Sequence, residues 1–100
     1  MELIIDESGT SGTLTLKKAL SYDHVMDLKQ ILSNAMDQLN RIILDLDQLT
    51  GIDFSCLQLL FAAQKTCQQN HKSLLLKSLN PHLSQCIQDA GFVRFKIPVC

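Results

Sequence analysis

Residues 42–46, Ile-Ile-Leu-Asp-Leu, form a nearly unbroken apolar run set directly between two helical patterns. That placement constrains the fold more than any other feature. A short, β-branched apolar run reads as a buried strand. Before it, Val25, Leu28, Leu32, Ala35 or Met36, and Leu39 recur at spacings of three and four, the stripe of an amphipathic helix. After it, Ser55 to about Gln69 reads as a second helix, rich in apolar residues. A strand held between helices belongs to a right-handed β-α-β crossover on a parallel sheet.

The rest of the chain extends this plan. Leu3-Ile4-Ile5 reads as an edge strand, ending in the turn Asp6-Glu7-Ser8-Gly9. Gly12 to Lys18 alternates Leu14 and Leu16 with Thr13, Thr15 and Lys17, the period of a half-buried strand and hairpin partner. Ser21 suits the cap of the first helix. Asp47 to Asp53 reads as a loop off the central strand, and Asn70 as the left-handed end of the second helix. Ser73–Lys77 is another buried strand. Asn80-Pro81 opens a third helix, with Leu83, Cys86, Ile87 and Ala90 as its stripe and Gly91 at its end. Val93–Val99 reads as a last short strand, interrupted by Pro98. The predicted order is β-β-α-β-α-β-α-β. This is one α/β domain over residues 1–100, with a mixed, mostly parallel sheet of four to five strands and three or four helices.

Composition narrows the function. At 46% hydrophobic residues the chain can fill a core. Nine basic residues against ten acidic ones, with Lys17-Lys18 as the densest basic stretch, argue against nucleic acid as a partner. The four cysteines, at 56, 67, 86 and 100, show no metal-ligand spacing and read as free thiols in a reducing compartment. No apolar run approaches the roughly 20 residues of a membrane span, and the first residues carry no signal-peptide pattern. The expectation is a cytoplasmic protein with no cofactor, no metal and no direct membrane insertion.

Catalytic signatures are missing: no phosphate-binding glycine loop, no nucleophile elbow, no metalloprotease helix. The three histidines have no orienting acid at a telling spacing. Asp45, Asp47 and Asp53 concentrate carboxylates where ligands bind in α/β sheets, which keeps a nucleotide or Mg²⁺ site as an alternative. The plainer reading makes them turn and cap residues. Ser55 and Cys56 stand at a helix start, where the dipole favours an anion and lowers a thiol pKa. Ser55 is equally an ordinary N-cap, and Cys56 an inert packed thiol. Phe54, just before the helix, either staples onto its first turn or stands out as an anchor for a partner.

Residues 41–63, Arg-Ile-Ile-Leu-Asp-Leu-Asp-Gln-Leu-Thr-Gly-Ile-Asp-Phe-Ser-Cys-Leu-Gln-Leu-Leu-Phe-Ala-Ala, resemble the central signature of STAS domains, the anti-sigma-factor-antagonist modules also found on anion transporters. Asn80-Pro81 with Leu83, Ile87 and Gly91-Phe92 resembles the family's last helix, and Gly12-Thr13-Leu14-Thr15 its second strand. The likeness spans about residues 10–95 and implies the same fold. It also implies a stand-alone bacterial signalling module that binds a protein partner: an anti-sigma-type switch kinase, a chemotaxis component or a transporter component. A homodimer stays open. In regulated members the Ser or Thr after the Asp is phosphorylated and the complex breaks. Here Asp53 matches that Asp, but Phe54 follows it, Ser55 matches the next small residue and Cys56 replaces the glycine. The resemblance therefore implies a non-catalytic docking module using Asp53, Phe54, Ser55, Cys56 and Gln58 without the usual phosphoswitch. The alternative is an antagonist with Ser55 as phosphoacceptor.

Overall fold

The computed structural model describes residues 2–89. The elements are β1 (Glu2–Ile5), β2 (Ser11–Leu20), a 3₁₀ turn (Tyr22–His24), α1 (Val25–Gln38), β3 (Arg41–Ile52), α2 (Phe54–Gln69), β4 (Ser73–Lys77) and α3 (Pro81–Asp89). Their order follows the predicted one; the expected Gly91 helix end and the Val93–Val99 strand lie outside the described residues. The four strands stand in the order β1-β2-β3-β4. β1 pairs antiparallel with β2, while β2–β3 and β3–β4 are parallel.

The alternation in the strands decides which face is covered. Leu14, Leu44 and Leu76 are Cα partners across three strands, and each is at most 2% exposed. Leu28, Leu32 and Ala35 of α1, Leu39 at its C-cap, Cys56, Leu60, Ala63 and Cys67 of α2, and Leu83 of α3 join them in one core. The opposite row, Thr13, Ile43 and Leu75, is only half-buried. So β3, read from its apolar run as a buried strand, carries its tight packing on one face. Gly12 sits at the base of this core. A Cβ there would stand 2.7 Å from Leu39 Cδ1 and 3.1 Å from the Ile4 carbonyl oxygen.

Several boundaries differ from the sequence expectation. β3 does not stop at Leu46: residues 47–52 stay extended because β2 runs alongside to Leu20, pairing Lys17 with Gln48, Lys18 with Leu49, Ala19 with Gly51 and Leu20 with Ile52. Two register shifts and the positive φ of Lys18 (59°) bend the pair there. Irregularities of this kind twist and re-aim a strand end. At the end of α2, the left-handed residue is His71 (φ 57°) rather than Asn70. Asn70 is instead the C-cap, and its side-chain amide donates to the Thr66 carbonyl at 2.8 Å. The Asn80 cap is found as expected, its Oδ1 accepting the Leu83 amide at 2.8 Å. The Lys72 ammonium donates to the Met36 carbonyl near the end of α1, where helix carbonyls lack intrahelical partners.

Candidate functional site

The strand-to-helix junction at residues 52–58 lies where β3 leaves the sheet. Its backbone is tied to the end of β2 by the Asp53 amide, which donates to the Leu20 carbonyl at 2.9 Å. The helix begins one residue earlier than expected. Asp53, not Ser55, is the N-cap: its backbone is extended and its Oδ1 accepts the Cys56 amide at 3.1 Å. A short acidic side chain satisfies an orphan N–H and also opposes the positive end of the helix dipole. Phe54 is therefore the first residue of α2, not a loop residue. Asp53→Ala should cost about 1 kcal/mol, read as a melting temperature lower by roughly 4–8 °C. Asp53→Asn should keep most of the cap, and equal losses in both variants would argue against it.

Helical geometry then sorts the junction residues. A residue and the one four places on share a face, so Phe54 and Gln58 project together. Both are exposed, Phe54 by 51%. Ser55 is half-buried. Cys56, grouped with the partner-binding residues in the sequence reading, is 0% exposed. It shapes the surface from beneath, its Sγ–H donating to the Ser21 carbonyl at 3.4 Å. This bond fastens the start of α2 to the segment that opens α1. Further along the outer side of α2, the Lys65 ammonium lies 5.4 Å from the ring centre of Phe61, within the range of a cation–π contact.

Position at a helix start does not activate the thiol. Burial first, and the Asp53 carboxylate beside it second, push Cys56 up from 9.0 to about 11. Burial also raises Cys67, with Lys72 opposing. The helix dipole, expected to lower Cys56, is outweighed. The sign of the linkage follows. A thiol that keeps its proton longer in the folded state contributes stability that is whole below pH 9.0 and lost as pH rises through about 11. Thermal melts between these limits should show a steeper alkaline decline in the parent than in Cys56→Ala. Parallel curves would contradict it.

Of the three carboxylates that left a ligand site open, two are engaged locally and the third, Asp47, is exposed. Asp45 Oδ1 accepts the Asp47 amide at 3.0 Å, and Asp53 caps α2. Among the described residues no three His, Cys, Asp or Glu side chains come together as metal ligands. No helix among them is long and apolar enough to cross a membrane. A cavity of about 420 Å³ opens elsewhere, between the C-terminal parts of α1 and α2, lined by Ser33, Met36, Asp37, Thr66, Asn70 and Lys72. It does not reach the junction.

Two exposed residues on the segment that follows Ser21 escape the sequence reading. Tyr22 is 73% and Met26 71% exposed. The available signal was Met26 itself, an apolar residue standing off the Val25–Leu28–Leu32 stripe.

Comparison with known proteins agrees with the fold. The family model described as "Mlab, STAS domain" matches residues 4–97. The unphosphorylated anti-sigma factor antagonist SpoIIAA, the Bacillus cell fate determinant, superposes with a TM-score of 0.77 at 16% identity, covering 99% of this chain and 86% of that one. TM1081 from Thermotoga maritima gives 0.81 at 17% identity, over 98% and 83%. A sulfate transporter family protein from Wolinella succinogenes gives 0.71 at 19% identity, over 91% and 73%. No curated protein sequence matches the chain.

Proposed function

This chain belongs to the STAS domain family, and from that premise we propose that it is a non-catalytic docking module for a signalling or assembly protein. The half-exposed Phe54 on the first turn of α2 carries this reading. A large aromatic at a rigid helix start is a suitable anchor for a partner pocket, and Gln58 projects on the same face. Asp53 and Cys56 hold the anchor in place, one as cap and the other through the Ser21 carbonyl. Among its structural relatives, one is named an anti-sigma factor antagonist and another a sulfate transporter family protein. A switch kinase, a chemotaxis component and a transporter component are accordingly the partner classes to test, in the cytoplasm of a bacterium. Constitutive docking is preferred because a phenyl ring, not a hydroxyl, follows Asp53.

Purified candidates encoded near this protein should be retained by the parent chain. Phe54→Asp should weaken the complex by about tenfold or more, with an unchanged circular dichroism spectrum. Equal binding by a folded Phe54→Asp variant would refute the junction as the docking site.

A second reading makes Ser55 a phosphoacceptor. Ser55 keeps part of its surface open in the first turn of α2, where a phosphate is favoured by the helix dipole. SpoIIAA has also been solved in a phosphorylated form. Incubation with ATP and a candidate kinase should add one phosphate, absent from Ser55→Ala. No mass gain, or a gain that survives Ser55→Ala, ends this reading.

A further inference from the structure

We infer that Tyr22 and Met26 complete the docking surface that Phe54 begins, and that its occupant is a protein with an apolar pocket edged by lysines or arginines. This rests on the reading of the 53–58 junction as a docking site. Only five large apolar side chains among the described residues are well exposed, and Tyr22, Met26 and Phe54 are three of them. Tyr22 opens the 3₁₀ turn and Met26 lies in the first turn of α1, so both stand on one continuous segment. The Asp53 amide on the Leu20 carbonyl (2.9 Å) and the Cys56 thiol on the Ser21 carbonyl (3.4 Å) hold the two helix starts side by side. The apolar groups thus sit on two tethered, rigid elements, which limits the entropy lost on binding.

Charge selects the occupant. Residues 19–28 and 46–64 carry Asp23, Asp27, Asp47 and Asp53, and not one Lys or Arg. Asp23, Asp27 and Asp47 are exposed. Lys18, Lys29 and Lys65 stand just beyond these segments, and the whole chain is nearly neutral at −1. An apolar cluster with an acidic border repels an anionic membrane and repels a second copy of itself. It complements a basic-edged pocket.

The test places a photo-crosslinking amino acid at position 22, 26, 54 or, as a control, at the exposed Ile4, in the full chain inside its native cells. One protein should be captured from 22, 26 and 54 and not from 4. With that protein purified, Tyr22→Asp and Met26→Asp should each weaken binding by about tenfold. Binding should also weaken with added salt, and Asp23→Lys with Asp27→Lys should remove that salt dependence. Capture from 54 alone, with Tyr22→Asp binding normally, overturns this extension while the Phe54 reading stands. Absence of capture from 54 overturns both. Capture of a second copy, or binding indifferent to salt, overturns the basic-edged partner.

Discussion

Leu44→Ala should destabilise the protein by about 2–5 kcal/mol, enough to consume a large part of the roughly 5–15 kcal/mol typical of a small domain. Leu44 is 0% exposed on the central strand, with Leu14 and Leu76 as its Cα partners and all three helices packed against the same layer. Strands on both sides and helices above leave little room for collapse, so the cavity cost adds to the lost transfer energy. Ile43→Ala, one residue earlier on the half-buried face, should cost much less. Urea melts of the two variants decide the matter. The midpoint should fall far more for Leu44→Ala, with a slope close to the parent's. A larger loss for Ile43→Ala would mean that the core faces the other way.

Gly12→Val should damage the hairpin, costing about 1–3 kcal/mol by overpacking. A Cβ alone would sit 2.7 Å from Leu39 Cδ1 and 3.1 Å from the Ile4 carbonyl oxygen. Leu39 is fully buried, so moving it disturbs the core packed around it. The Ile4 oxygen is backbone, on the strand whose Ile5 pairs with Gly12 itself. The easier of the two to displace is β1, four residues long and at the sheet edge. Hydrogen exchange should therefore report early loss of protection at Leu3–Ile5, while β3 and β4 amides remain slow. Uniform loss across the sheet, or unchanged protection in β1, would contradict this account.

The contrast between these sites also explains how far the residues alone could be read. Leu14 declares itself through strand alternation, because a period of two places every second side chain on one face; Leu44 and Leu76 lie in continuous apolar runs, where the sequence marks a buried strand and the assembled sheet selects the tightly packed face. The α1 stripe and the Asn80-Pro81 start are local in the same sense. The Asn80 oxygen reaches an amide three residues away. The likeness to the STAS signature rests on the same local patterns, so it too was legible, and the family match over residues 4–97 agrees with it.

The junction was legible as a place and not as an arrangement. Asp53, Phe54, Ser55, Cys56 and Gln58 could be named from the helix start and the family likeness. Which of them caps, which is buried and which projects could not. Asp and Ser are both good caps, and two sit within three positions; the choice followed when the Asp53 amide was fixed by Leu20, a residue of another strand. Once that choice of cap is made, the ~100° step per residue sends Phe54 and Gln58 outward and Cys56 inward.

Local periodicity therefore sufficed for the order of the described elements and the position of the junction, since each depends on neighbours within about four residues. The pairing of 47–52 with the end of β2, the raised Cys56 thiol and the tie between Ser21 and the start of α2 depended on the assembled fold. Their causes lie in contacts such as Leu20 with Ile52 and Cys56 with Ser21, which join residues more than 30 positions apart. Such contacts exist only when the chain has closed on itself, and no spacing within either segment encodes them.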